Sequence, residues 1–148
     1  MIKRPLNPRF TAAVLDGRKF TTIREKPWPV GVPIMLYNWS GKAYRSPQIN
    51  VAAVIVKCNW QIRIEHFENG KMFYQVGLED LAKLHEMEGF ESREAMDDWF
   101  RSVVKPGHVI TRYLMRFSLL SPPRDTTKAE LLEACEIIGA SLKTSRKP

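Results

Sequence analysis

Eight residues near the N-terminus, Gly17-Arg18-Lys19-Phe20-Thr21-Thr22-Ile23-Arg24, hold three cations and two threonines around only two apolar side chains. That mixture can do chemistry. A lysine beside another cation, and partly stripped of water, has its pKa lowered, because both effects disfavour the charged form. Lys19 near Arg24 could then act as a base. A threonine hydroxyl is a weak nucleophile until such a base takes its proton, which makes Thr22 the candidate nucleophile. If residues 20–24 form a strand, Phe20, Thr22 and Arg24 share one face and Thr21 and Ile23 the other. Lys19 has the wrong parity and can approach Thr22 only from the turn after Gly17.

A proton donor is offered by a second segment. Leu78, Leu81, Ala82, His85 and Glu88 follow one stripe of a helix expected over 78–88, and Glu88 ends it. A carboxylate there would be partly buried, could pair with Lys19 and Arg24, and could hand a proton to a leaving group. Each residue also has a plainer reading. Lys19 and Arg24 can be solvated or phosphate-facing charges, Thr22 an ordinary strand residue, and Glu88 a helix-end salt-bridge partner.

The elements that must position these groups can be read in outline. Asn7-Pro8 marks a helix start, and Phe10, Ala13 and Val14 repeat at helical spacing until Asp16-Gly17 closes the helix. Phe20–Arg24 reads as a strand broken by Pro27-Trp28-Pro29, residues 32–39 as a second, and Lys42–Arg45 as its hairpin return. From 51 to 64, Ala52, Val54, Val56, Cys58, Trp60, Ile62 and Ile64 alternate with a set that turns polar halfway, as on a long strand of a barrel wall. Ser92 caps a helix that turns Met96, Trp99, Phe100 and Val103 inward. Strand 108–120 presents Val109, Thr111, Tyr113, Met115, Phe117 and Leu119 on one face and His108, Arg112 and Arg116 on the other. Thr127-x-x-Glu130 opens a C-terminal helix with Leu131, Cys135, Ile138 and Leu142 on one stripe, which could dock a partner. The pattern reads as α+β with a small, closed antiparallel barrel and flanking helices.

A chain of 148 residues, 44% hydrophobic and 26% charged, fits one domain with a real core. No apolar run approaches the roughly 20 residues a membrane span needs, and no signal-peptide core follows Lys3-Arg4, so a cytoplasmic location is expected. Cys58 and Cys135 read as buried free thiols, and His66, His85 and His108 form no ligand set, so neither metal nor cofactor is expected. The net charge of +7 is uneven: residues 1–63 carry eleven Lys/Arg against two acids, and residues 64–100 three against ten. Such asymmetry suits a face that meets phosphates, or simply solubility charge. In 37–45, Tyr37, Trp39, Lys42, Tyr44 and Arg45 interleave rings and cations, the combination that holds single-stranded nucleic acid. Alternation buries Tyr37 and Trp39 and leaves Lys42, Tyr44 and Arg45 as RNA contacts. Trp28 is a further candidate ring, or else pins its loop to the barrel.

Residues 17–24 match the GxKxxxxR pattern of the ASCH domain, a PUA-like β-barrel family, and Leu84–Ser92 (LHEMEGFES) resembles that family's helix with its E-G-F end. The resemblance covers roughly residues 8–120. It implies a domain over 1–122, a helical extension over 123–148, and a ligand cleft lined by the signature. Some family members deacylate acetylated cytidine with a lysine, a threonine and a glutamate, which fall on Lys19, Thr22 and Glu88, with Arg24 positioning the ligand. Other members are proposed to bind RNA, and some to cut it. The implied partner is thus RNA or a modified nucleoside. Relative to the small enzymes, the stretch Lys26–Pro47 is expanded and the C-terminal helix is extra, which puts cytidine specificity in doubt.

Overall fold

The computed structural model describes residues 1–120. Its elements in chain order are β1 (Ile2–Pro5), a 3-10 turn (Pro8–Phe10), α1 (Thr11–Leu15), β2 (Thr21–Arg24), β3 (Pro33–Trp39), β4 (Gln48–His66), β5 (Met72–Val76), β6 (Glu79–Asp80), α2 (Leu84–Met87), α3 (Arg93–Arg101) and β7 (Val109–Leu119). The class is α+β. One sheet of seven strands is built around β4, whose Val54, Val56, Ile62 and Ile64 are completely buried, as their alternation requires. Strand β7 runs antiparallel along one edge of β4, from Val54 opposite Leu119 to Glu65 opposite Val109, with a register shift between Val56 and Cys58. The other edge takes β3 first and β5 last, and between them Val30 bridges Val56. Beyond β3 lies β1 in parallel, with Ile2 opposite Ile34, and beyond β7 lies β2, with Thr22 opposite Met115.

The sheet does not close into the expected barrel. Among the described residues no ladder joins β1 to β2. The sequence supplies a reason: β1 ends in Pro5, and β2 runs on toward Pro27 and Pro29, none of which has an N–H to offer a neighbouring strand. A side chain spans the seam instead, with Arg24 Nη2 donating to Pro5 O at 2.9 Å.

Several expectations hold. Phe10, Ala13 and Val14 are buried, Ser92 caps α3 by accepting from Ala95 N–H, and Met96 and Phe100 face the core. Others need correction. Strands β1, β5 and β6 escape a reading by alternation because they are short. The helix expected over 78–88 shrinks to Leu84–Met87, since Glu79 and Asp80 extend the sheet, and Leu78 is 80% exposed. Residues 42–45 form a turn, and the hairpin returns only at Gln48. Helix α3 stops at Arg101, so Val104 rather than Val103 enters the core. Arg116 does not mark a solvated face: it is buried, donates to Phe117 O and Phe20 O, and lies 4.7 Å over the Phe20 ring. Cys58 is half-buried rather than buried. Trp28 is buried, and its backbone N–H donates to Met115 Sδ, so it pins the proline loop. The helix expected from Thr127 and the boundary at 122 lie outside the described residues. Among the described residues no helix is long and apolar enough to cross a membrane.

The corrected boundary near residue 80 is open to a direct measurement. Leu84→Ala removes a completely buried side chain and is expected to cost about 2–5 kcal/mol in urea unfolding, whereas Leu78→Ser stays within about 0.5 kcal/mol. Equal losses at the two positions would restore the longer helix.

Candidate functional site

Lys19 owes its position to the turn and not to a strand. Gly17, at φ +83°, closes α1 in the left-handed conformation that only glycine adopts freely. The chain then doubles back so that Lys19 N–H donates to Ala13 O (2.9 Å) and Phe20 N–H to Met87 O (3.1 Å), and β2 starts one residue later. Lys19 is therefore freed from strand parity, as convergence with Thr22 requires. Its side chain is only 4% exposed. The ammonium donates to Glu88 O at 2.9 Å, stands 3.6 Å from Glu88 Oε2, and lies 4.7 Å from the centre of the Phe10 ring.

Glu88 is buried to the same degree, for a local reason different from the stripe. It is the cap of α2, its N–H bonded to Leu84 O at 3.0 Å, and Gly89 follows at φ +82°. That glycine also makes room for the lysine. A Cβ at 89 would stand 2.8 Å from Lys19 Cβ and 3.2 Å from Ala13 Cβ. The carboxylate accepts a hydrogen bond from Thr21 Oγ1 at 2.5 Å. Thr21, fully buried, is the residue that sequence reasoning missed; its parity pointed away from Thr22, yet both faces of β2 are covered at that point.

Thr22 is 4% exposed, and its hydroxyl oxygen accepts from Arg24 Nε at 3.0 Å. No hydrogen bond joins Thr22 to Lys19, whose ammonium is directed to Glu88. The Arg24 guanidinium lies 4.7 Å over the Trp28 ring. Lys19, Thr22, Arg24 and Glu88 nevertheless line one small cleft of about 170 Å³, together with Leu6, Asn7, Phe10, Ile23, Trp99 and Phe100. That is below the roughly 300 Å³ at which ordinary ligand pockets begin, room for a compact group. Its lining sets Leu6 and Asn7, which follow β1, with Thr22–Arg24 of β2.

Burial pushes the Lys19 pKa down; the Glu88 carboxylate opposes that shift and Arg24 adds to it. Burial likewise pushes Arg24 down, with Glu88 opposing and Arg4 adding. A lysine of depressed pKa on the same small cleft as a threonine hydroxyl can exchange a proton with it only after its ammonium turns from Glu88, and the neighbouring carboxylate can exchange one with a bound group. Lys42, Tyr44 and Arg45 stand apart from this cleft. They occupy the exposed turn between β3 and β4, where Tyr44 adopts φ +64°, is 88% exposed and leans on Trp39 with ring centres 5.2 Å apart. Tyr37 is buried edge-on to Trp39, which is half-buried. Among the described residues no three His, Cys, Asp or Glu side chains are grouped to hold a metal ion. Comparison with family models, with curated proteins and with solved structures found no match to this chain.

Two measurements check this geometry. Gly89→Ala forces an L residue into the left-handed region and a methyl against Lys19, and is expected to cost about 2 kcal/mol or more in urea unfolding; a loss below about 0.5 kcal/mol would mean that Lys19 does not lie against it. The second is a pH dependence. Because the folded state lowers the Lys19 pKa, the unfolded chain binds more protons between the folded value and 10.5, so stability rises with pH across that window and the penalty is fully present below it. Unfolding free energy should rise more between about pH 8 and about pH 10 in the wild type than in Lys19→Met. Parallel profiles would place the Lys19 pKa at its ordinary value.

Proposed function

We propose that this chain is an ASCH-domain protein that takes a nucleoside-like ligand against the Lys19–Thr22–Glu88 cleft and hydrolyses an acyl amide on it. The observation that carries the reading is a buried lysine of lowered pKa, ion-paired with a buried glutamate, on the same small cleft as a buried threonine hydroxyl. Such a pair is hard to explain by stability alone, since replacing a buried ion pair by apolar residues is often neutral or stabilising. Neutral Lys19 turns from Glu88 to take the Thr22 proton as Oγ1 attacks the amide carbonyl. The C–N bond then breaks, the leaving amine takes a proton handed on by Lys19 and Glu88, and water releases the acyl group from Thr22. Arg24, donating to the Thr22 oxygen, holds the hydroxyl in place and makes its proton easier to lose. The cleft's size suits the acyl amide, with the rest of the ligand outside, against the wall of Leu6, Phe10 and Trp99. In this reading the open sheet is a PUA-like core interrupted at the β1–β2 seam.

RNA is the second reading, and Tyr44 favours it. An exposed ring held upright on Trp39, with Lys42 and Arg45 in the same turn, offers a base a stacking surface and its phosphate a charge.

Acetylated cytidine separates the two. Lys19→Ala and Glu88→Gln are each expected to lower its deacylation at least 100-fold with the circular dichroism spectrum unchanged, and Lys42→Ala/Arg45→Ala to leave it within about twofold. Full turnover by the first two variants would sink the Lys/Thr/Glu assignment. RNA affinity that falls steeply with salt and with the Lys42/Arg45 double variant, in a protein that does not hydrolyse the nucleoside, would establish the second reading in its place.

A further inference from the structure

The cleft has a surplus of positive charge on one side. Lys19 is matched by Glu88, and Arg9, outside the cleft over the rings of Phe10 and Trp99, by Glu91 at 2.7 Å. Arg24 has no carboxylate within ion-pair distance among the described residues, and neither does Arg4, which is close enough to disfavour its charge. The one carboxylate that favours the Arg24 charge is Glu88, already paired with Lys19, so the partly buried guanidinium is left short of counter-charge, which is costly unless something else supplies it.

Its donors are only partly used. Of the five N–H groups a guanidinium carries, Nε–H goes to Thr22 Oγ1 and one Nη2–H to Pro5 O. Those two bonds and the stack on Trp28 fix the plane of the group, and the remaining Nη donors have no protein acceptor among the described residues. A fixed planar fork of this kind matches a carboxylate or a phosphate. Asn7 adds a further donor to the same cleft. Its Oδ1 accepts from Arg9 N–H, while its Nδ2 bonds no described residue. The facing wall, Phe10, Trp99 and Phe100, is aromatic.

We propose that the ligand of this cleft carries an anionic group, a carboxylate or a phosphate, that seats on the free Nη donors of Arg24, with Asn7 Nδ2 assisting and the ligand's apolar part against the aromatic wall. The inference takes from the functional reading only that the cleft is where a ligand binds. It narrows the class from neutral nucleosides to anionic ones, such as a nucleotide or an N-acyl amino acid.

Inorganic phosphate and acetate, titrated separately into the full chain at constant ionic strength, test it through the ¹⁵N and ¹H shifts of Arg24 Nε–H. At least one of the two is expected to give a saturating shift there and on the Asn7 side-chain amide, which lines the same cleft; read on that Asn7 signal, which the variants keep, binding is weakened at least tenfold in Arg24→Gln and less in Arg24→Lys, which keeps the charge. Saturation by phosphate alone assigns a phosphate group, and binding of cytidine 5′-monophosphate at least tenfold tighter than cytidine then follows; saturation by acetate alone assigns a carboxylate. If neither anion shifts Arg24, or Arg24→Gln binds as well as the wild type, the inference is overturned. Because the shift is read on the wild type, an unfolded variant cannot rescue the idea. Deacylation of acetylated cytidine without any anion shift would overturn this inference and leave hydrolysis standing, while anion binding without deacylation would do the reverse.

Discussion

The site depends on keeping one ammonium out of water. Burying the Lys19 charge costs several kcal/mol unless acceptors and counter-charge are provided together. Here they come from one residue, since the carbonyl and the carboxylate of Glu88 both face the ammonium while the electron-rich face of Phe10 lies across from it. Much of the surrounding backbone can be understood as the means of bringing these groups together. The glycine-closed end of α1 delivers the lysine before the strand begins. The four-residue α2 ends where its cap can turn a carboxylate inward. Phe20 N–H bonded to Met87 O ties the two arrivals to each other.

The open seam is the second constraint. Prolines at the end of β1 and beyond β2 deny the sheet the hydrogen bonds that would close it, and the gap is bridged by an arginine side chain. A ladder there would have satisfied both edges and left no cleft. Bridging by Arg24 leaves a recess lined on one side by Leu6 and Asn7 and on the other by Thr22–Arg24, above a floor of aromatic rings. The same side chain thus joins the edges, holds the Thr22 hydroxyl and keeps donors to spare.

How far the sequence was legible follows the range of the interactions involved. Local signals were reliable: the proline start and glycine end of the first helix, the alternation along β4, and the Ser92 cap all appear as expected. The parity argument about Lys19 was also sound, because which residue precedes the pleat is decided within a few positions. Glu88 shows the limit, being buried as expected but as the cap of a one-turn helix, since β5 and β6 claim the segment that was read as its stripe. Arg116 and Thr21 could not have been placed by pattern. What buries them is the pairing of β2 with β7, residues almost a hundred positions apart, and a polar side chain under a strand looks the same in sequence as one on a surface. Charge composition pointed toward a basic face without distinguishing the cleft from the hairpin turn, which the fold keeps separate.

Gly89 ties two distant stretches of sequence together. Its missing Cβ is the space that the stem of Lys19 occupies, so position 89 cannot vary by itself without cost: a side chain there meets the Cβ and Cγ of the lysine. Shortening residue 19 would not free position 89, because the clash is with a Cβ that every residue but glycine carries, Ala13 Cβ closes the other side, and φ +82° strains any side chain there; the glycine can therefore outlast the ammonium it makes room for.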